Sequence, residues 1–429
     1  MKRIMTVLLA AVLLCACLGA MPAAAYTQPQ WVSAWSTSPV DASLSELGAL
    51  SGVSVPVANV TSRVVIRPAI SGDRVRLVFS NEHSALPLVI SACTVGHSVS
   101  GEAAVAPGSL RTVRFRGLGS TIIPAGKTVT SDPVCMRVEA DEPLAVSTYY
   151  RGLSAMRTIG LFGGKSFAAV GNRTYSITMP AALPLSFTAD SGTYDIIPAL
   201  KEVDVRTAEP GAGVCVVFGD STVTNEIPRK LAARLRAEGI TNVSVTQAAI
   251  KGNRLSYDGV GKLATITGRA GVDRFVTDVL DQPGVTSVIV KIGANDVIHP
   301  QLDSKKGTAP YASFEQLTAD YTRLAELAHA RGVKVYFAEL TPWKGYTRNL
   351  FGIMGDDIIW TPEIDALRVQ LNDWMRSEAC PADGVVFFPA LADPADPDAL
   401  LGAYTTDGVH FTDAGAQLVA DTIPSEWFR

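Results

Sequence analysis

The 429-residue sequence carries little charge and almost no surplus of one sign: Lys and Arg number 37 against 41 Asp and Glu, a formal net charge of −4. No block of like charge stands out. A binder of the nucleic-acid backbone needs a basic stripe, so that class is excluded. Histidine is scarce, at five residues, and the six cysteines form no C-x-x-C pair. That argues against a zinc ribbon or thioredoxin-type centre, and nothing in the sequence implies a metal or other cofactor. After Leu18 no apolar run reaches the ~20 residues that a spanning helix needs. Internal repeats and low-complexity tracts are also lacking. What is there is ordinary globular composition, 47% hydrophobic and 18% charged, in a length that suits two or three domains.

Residues 1–25 read as a signal peptide. Lys2 and Arg3 form a positive start, Ile4 to Leu18 an apolar run, and Ala23-Ala24-Ala25 a small-x-small cleavage site. The expectation is export, to the medium, periplasm or cell surface, with a mature chain starting near Tyr26. Leu14-Cys15-Ala16-Cys17 resembles a bacterial lipobox, so a lipid anchor on Cys17 is the alternative; Cys15 departs from that pattern. Cleavage leaves Cys93, Cys135, Cys215 and Cys380, which allow three full pairings. Cys93 and Cys135 both lie in strand-like runs, and a bridge between them is left open. Cys215 sits in an apolar run and is expected to be a small buried hydrophobe.

Two halves follow different periods. From about 31 to 205 the pattern alternates: Val75, Leu77 and Phe79 against Arg74 and Arg76, then Val113 and Phe115 against Arg114 and Arg116. Val134–Val138 and Leu144–Tyr150 are further strands. Turn clusters separate them, which predicts an antiparallel β-sandwich-like domain over 26–205. After Gly211 the unbroken apolar run Val214–Phe218 suits a parallel strand buried on both faces. Ile227, Leu231 and Leu235 follow at helical spacing. Asn242–Thr246, Ser287–Ile292, Val333–Leu340 and Val385–Phe388 read as strands. Between and after them come helices: one from Ser313 with a capping box to Gln316, one opened by Thr361-Pro362, and one capped by Thr412. Strands alternating with helices predict a parallel sheet covered on both faces, over 211–429, with its chemistry at the carboxyl ends of the strands.

Three features fall at such ends or turns. Gly219-Asp220-Ser221 follows the first parallel strand and precedes a helix. Gly293-Ala294-Asn295-Asp296 follows the strand Ser287–Ile292. Asp407-Gly408-Val409-His410 precedes the last helix. A serine nucleophile needs a base and a carboxylate that orients it; His410 is the natural base and Asp407, three residues earlier, its orienter. Donors for a developing oxyanion are the Ser221 and Gly252 backbone N–H groups and the Asn295 amide.

Together these residues resemble the SGNH (GDSL-type) hydrolases. Phe218-Gly219-Asp220-Ser221 is similar to the nucleophile block, Ala249-Ile250-Lys251-Gly252-Asn253-Arg254 to the glycine block, Gly293-Ala294-Asn295-Asp296 to the G-x-N-D block and Asp407-Gly408-Val409-His410 to the D-x-x-H block. The resemblance implies a flavodoxin-like three-layer α/β/α fold, Ser221, Asp407 and His410 as triad, and Ser221, Gly252 and Asn295 as oxyanion hole. Trp31–Pro39, Gly72–Arg76 and Ser131–Val134 resemble the β-rich N-terminal region of an exported subgroup. Thr222–Glu226, Gln247-Ala248-Ala249, Lys251 and Phe411 depart from the family pattern at positions expected to line the pocket rim.

The reading is an exported serine esterase for acetyl or short-chain acyl esters, with acylated polysaccharide as substrate. A broad lipase or arylesterase is the runner-up; an acyltransferase uses the same residues. The non-enzyme alternative is a glycan- or cell-wall-binding protein on an inactive scaffold. Of the remaining candidates, Gly160–Ser166 falls short of P-loop spacing. His299 is expected to be a solvated loop histidine. Arg254 and Asp296 are expected to brace the site, and Trp343 and Tyr346 either stack on a sugar or pack.

Overall fold

The computed structural model describes residues 28–43, 55–189, 192–223, 226–259, 264–302, 310–346 and 358–429. The expected leader, Cys17, and Thr224 and Asn225 lie outside the described residues. No helix among the described residues is long and apolar enough to cross a membrane.

The N-terminal half is built from antiparallel strands. One sheet runs Gln30–Ser36, Leu200–Thr207, Gly72–Ser80, Thr128–Thr130, with Val134–Val138 also paired to Gly72–Ser80. A second runs Leu183–Pro184, Gly164–Val170, Val60–Ile66, Leu144–Tyr150, Ala92–His97, Arg111–Thr112. Val75, Leu77 and Phe79 of the first sheet and Val64, Ile66, Leu144 and Val146 of the second enter one apolar cluster. The same alternation decides the thiols. Cys93 faces inward and is buried, whereas Cys135 lies between inward Val134 and Met136 and is exposed; both are free. The bridge left open by the sequence is therefore not made. Burial pushes the Cys93 thiol up to about 12. The Val113–Arg116 run is not a strand: the ladder stops at Thr112, and Asp132 accepts from the Arg116 and Gly117 N–H groups at 2.9 and 2.6 Å to fix a tight turn. Gly160–Ser166 spans two of the antiparallel strands.

The C-terminal half holds one parallel sheet: β1 (Gly213–Gly219), β2 (Val243–Ala249), β3 (Val285–Lys291), β4 (Lys334–Ala338) and β5 (Gly384–Val386), in spatial order β2-β1-β3-β4-β5. Among the described residues six α-helices accompany it: α1 (Glu226–Ala237), α2 (Gly271–Phe275), α3 (Ala294–Ile298), α4 (Phe314–His329), α5 (Pro362–Arg376) and α6 (Asp413–Thr422). Alternate side chains of β1 serve opposite faces. Cys215 and Val217 pack with Leu231 and Leu235 of α1 and Val419 of α6. Val214, Val216 and Phe218 pack with Phe275 of α2, Leu324 of α4 and Leu371 of α5. Ser313, Thr361 and Thr412 cap α4, α5 and α6, accepting from Gln316, Ile364 and Gly415 N–H groups at 3.1, 3.3 and 3.1 Å. The expected capping box is only half made, because the Gln316 amide turns to Asp320 instead. A segment the sequence pattern did not reveal is α2, which widens into a π-turn over Val276–Leu280.

The strand Gln30–Ser36 lies beside β2. Ser36 Oγ donates to Gln247 O (2.8 Å), Ser244 Oγ donates to Ser33 O (2.6 Å), and Ser33 N–H donates to Pro283 O (2.9 Å). Val32 and Val205 share an apolar cluster with Val214 and Val216, so the core continues across this junction.

Candidate active site

The site forms where β1, β2 and β3 end. At the end of β1, Gly219 passes so close to β3 that a Cβ would stand 2.3 Å from Lys291 O, which only glycine allows. The chain then turns. Asp220 Oδ1 accepts from the Thr222 N–H and hydroxyl at 2.9 and 2.8 Å. This opens the short 3₁₀ turn Ser221–Val223 and leaves Ser221 half-buried at its tip.

His410 reaches Ser221 from the loop before α6. Its Nε2 lies 2.9 Å from Ser221 Oγ and its Nδ1 2.7 Å from Asp407 Oδ2. Asp407 Oδ1 accepts from the Val409 and His410 N–H groups at 3.1 and 2.8 Å. Burial alone pushes the Asp407 carboxyl up, but the hydrogen bond and charge of His410, with the two backbone donors, outweigh it and hold the group down at about 2. An ionised carboxylate can only accept, so Nδ1 carries the proton and Nε2 is left to accept from the Ser221 hydroxyl. Tyr346 meets the imidazole edge-to-face at 6.1 Å.

The other two motif residues lie in the same cleft. Gly252 adopts a left-handed φ of 74°, and a Cβ there would meet Thr267 Cγ2 at 2.7 Å and His299 Cε1 at 2.8 Å. Asn295, on α3, donates from Nδ2 to Asn253 O (3.0 Å) and Asp220 Oδ2 (3.3 Å). Its amide thus ties the serine turn to the glycine loop. Asp296 holds that loop from behind, accepting from the Leu255 and Ser256 N–H groups at 2.6 and 3.1 Å, with Arg254 Nε 3.7 Å away and both side chains fully buried. Burial pushes Asp296 up to about 6 against the pull of Arg254. Both residues brace the loop, as expected.

Sequence reasoning missed Arg274, the principal tie of the site. Its guanidinium, 2% exposed, donates to Gly219 O (3.0 Å), Ala248 O (2.9 Å), Asn253 Oδ1 (2.9 Å) and Ser38 Oγ (3.2 Å), and pairs with Asp278 at 3.2 Å. It also covers the Phe218 ring at 4.3 Å. One side chain therefore fixes the ends of β1 and β2, the glycine loop and the N-terminal half. The four-residue spacing of Arg274 and Asp278 among Val272, Phe275 and Val279 was the available signal.

The expectation for His299 is overturned. It is 2% exposed, packs on Gly252 and borders the cleft. Burial, with the Arg254 charge beside it, pulls its imidazole down to about 3, so the ring is neutral at ordinary pH. It follows α3 directly, and its helical continuation turns it inward instead of into solvent. Trp343 and Tyr346 are both buried, packed with Val297, Ile298 and Val409; of the two, Tyr346 borders the cleft. Among the described residues no group of three or more His, Cys, Asp or Glu is placed to hold a metal ion.

A hydroxyl at a helical turn, an imidazole positioned to take its proton and a carboxylate to steady the resulting imidazolium can together drive nucleophilic attack on an acyl carbon. Residues 207–418 match the model of the GDSL-like lipase/acylhydrolase family. No curated protein matches the sequence. Similar solved structures include a GDSL-like lipase from Bacteroides thetaiotaomicron VPI-5482, at 19% identity over 51% of this chain and 88% of that one, with a TM-score of 0.34. A carbohydrate acetylesterase from Sinorhizobium meliloti aligns at 15% identity over 50% of this chain and 97% of its own, TM-score 0.34. A family two carbohydrate esterase from Cellvibrio japonicus aligns at 11% identity over 94% and 95% of the two chains, TM-score 0.33. Through residues 207–418, the chain belongs to the GDSL-like lipase/acylhydrolase family.

Proposed function

We propose that the protein is an exported serine esterase that removes acetyl or other short acyl groups from carbohydrate through a covalent acyl-enzyme. His410 takes the proton of Ser221 as its Oγ attacks the ester carbonyl. The Ser221 and Gly252 N–H groups receive the negative charge of the tetrahedral intermediate, and the Asn295 amide joins them by releasing its 3.3 Å bond to Asp220, each such donor being worth roughly 10²–10³ in rate. His410 then protonates the departing alcohol and activates the water that frees the enzyme. The observation that carries this reading is the unbroken chain from Ser221 Oγ to His410 (2.9 Å) and from His410 to Asp407 (2.7 Å).

The same reading takes 1–25 as a signal peptide, 26–205 as an antiparallel sandwich-like domain and 211–429 as a flavodoxin-like α/β/α domain. Two sheets that share an apolar cluster, and helices packed on both faces of the parallel sheet, support it. Hydrolysis of p-nitrophenyl acetate, butyrate and decanoate, with Ser221→Ala alongside, tests the proposal. A loss of roughly 10³-fold or more in the variant is expected, with acetate or butyrate preferred. Preference for decanoate would turn the reading toward a lipase. Wild-type activity no higher than the variant's on every ester would leave a binding protein on an inactive scaffold.

A further inference from the structure

The lining of the cleft includes a cation that the reaction as written does not use. Lys251 immediately precedes the oxyanion glycine and borders the same cleft as Ser221 and His410. Its ammonium donates to the Tyr194 hydroxyl, stands 4.1 Å from the Tyr194 ring centroid and 6.0 Å from that of Phe162. Both rings belong to the β-rich region, and they pack against each other with centroids 5.7 Å apart. The β-rich region therefore meets the side chain of a residue that lines the cleft and sets the position of a charge beside the glycine loop.

A tether between the two halves would not need a cation. Desolvating an ammonium is costly, and burial does pull Lys251 down to about 8, against the opposing pull of Asp407. Aromatic faces offset part of that cost. Asp220 is engaged with Thr222 and Asn295, and His410 with Ser221 and Asp407, while the buried His299 that also borders the cleft is held neutral. The apolar members of the lining, Ala294, Ile298 and Val409, suit a short acyl group. A cation among polar neighbours suits the alcohol half.

We infer that Lys251, positioned by Tyr194 and Phe162, is a specificity residue that binds a carboxylate on the alcohol half of the ester, as an acetylated acidic sugar would carry. The inference rests on the esterase reading given above. It assigns the β-rich region a role in choosing the substrate.

The test compares kcat/KM for 3-acetoxybenzoate and 3-acetoxybenzamide, two acetyl esters that differ in charge and little in shape. Wild-type enzyme favours the anion, and the ratio of the two constants falls about tenfold in Lys251→Gln, which keeps a donor and loses the charge. Lys251→Arg keeps most of the ratio. Tyr194→Phe, which keeps the ring and loses the hydroxyl, lowers it by less than Lys251→Gln. A ratio unchanged in Lys251→Gln overturns the inference. Should that variant not fold, the wild type decides: 3-hydroxybenzoate competes with p-nitrophenyl acetate at concentrations where 3-hydroxybenzamide does not, and equal inhibition by the two overturns it. A wild type inactive on every ester refutes the esterase reading itself; an active one with a flat ratio refutes only the role of Lys251.

Discussion

Buried charge is spread through the β-rich region, whereas in the C-terminal half several buried charges meet where strands of the parallel sheet end. In the β-rich region Arg63 is fully buried in the strand Val60–Ile66. It donates to Ser147 Oγ and to the carbonyls of Ala103, Arg173 and Ser176, stapling loops to a strand. Burial pulls its guanidinium down to about 10. Glu202 and Asp204 are likewise buried along one strand, both pushed up by burial, with Arg76 2.6 Å from Asp204. In the C-terminal half Asp220, Lys291 and Asp296 sit at or just beyond the ends of β1 and β3, and Arg274 reaches the ends of β1 and β2 from α2. Lys291 Nζ donates to Thr222 Oγ1 at 3.1 Å, in the turn that carries Ser221. Burying charge costs much the same in either place. In one region it holds loops, and in the other it fixes a reactive hydroxyl to within a hydrogen bond of its base.

The comparison breaks first at the triad. Asp407→Asn should lower kcat/KM by roughly 10³–10⁴, because a neutral amide no longer selects the Nδ1–H tautomer. Retention of activity within tenfold would mean that Asp407 does not orient His410. Next comes Arg274→Met, which leaves buried Asp278 with Lys201 as its remaining cation and frees the carbonyls of Gly219 and Ala248. A loss of about 3–5 kcal/mol in urea unfolding is expected, together with a fall in kcat, since the serine turn and the glycine loop share this anchor. Arg63→Met should cost about 2–3 kcal/mol by leaving carbonyls unpaired, yet keep kcat/KM of the folded enzyme within about twofold. Equal catalytic damage from both arginine variants would erase the distinction between the regions.

The smallest effect is a pH dependence with opposite signs at two carboxylates. Asp296, pushed up to about 6 in the fold, binds its proton more tightly folded than unfolded. Its contribution to stability therefore grows as pH falls from about 6 toward 4 and is lost as pH rises through 6. Asp407, held at about 2, contributes above its ordinary value of 3.8 and loses that contribution as pH falls toward 2. The stability gap between wild type and Asp296→Asn should thus be wider at pH 4.5 than at pH 7, by about 1–2 kcal/mol. A gap that is constant or narrower at pH 4.5 would remove the assigned burial of an ionisable Asp296.

Local rules made much of this legible in advance. Period-two burial of Val75, Leu77 and Phe79, the unbroken apolar run of β1 and the caps at Ser313, Thr361 and Thr412 follow from short-range pattern. So does the nearness of Asp407 to His410, three residues apart in one turn. Ser221, Gly252 and Asn295 lie far apart in sequence, and it took the rule that sites gather at strand ends, with the resemblance of their blocks to a known family, to bring them together. What pattern did not supply depends on long-range burial. Arg274 looks like a surface arginine until its helix is set against the ends of two strands. His299 follows a strand in what reads as a loop, and α3 turns it into the core. Lys251 gains its surroundings from Tyr194 and Phe162, 57 and 89 positions earlier, which no local window contains. The Cys93–Cys135 pairing was open because spacing says nothing about which face each strand turns inward.

The central claim is that Ser221 is a nucleophile activated by His410. It is tested most directly by exposing the protein to a fluorophosphonate ester and locating the adduct by peptide mass spectrometry. The account predicts one phosphonyl group per chain, on Ser221, with labelling slowed by roughly 10³-fold or more in His410→Ala. An adduct on another serine, or labelling of Ser221 at an undiminished rate without His410, would contradict it.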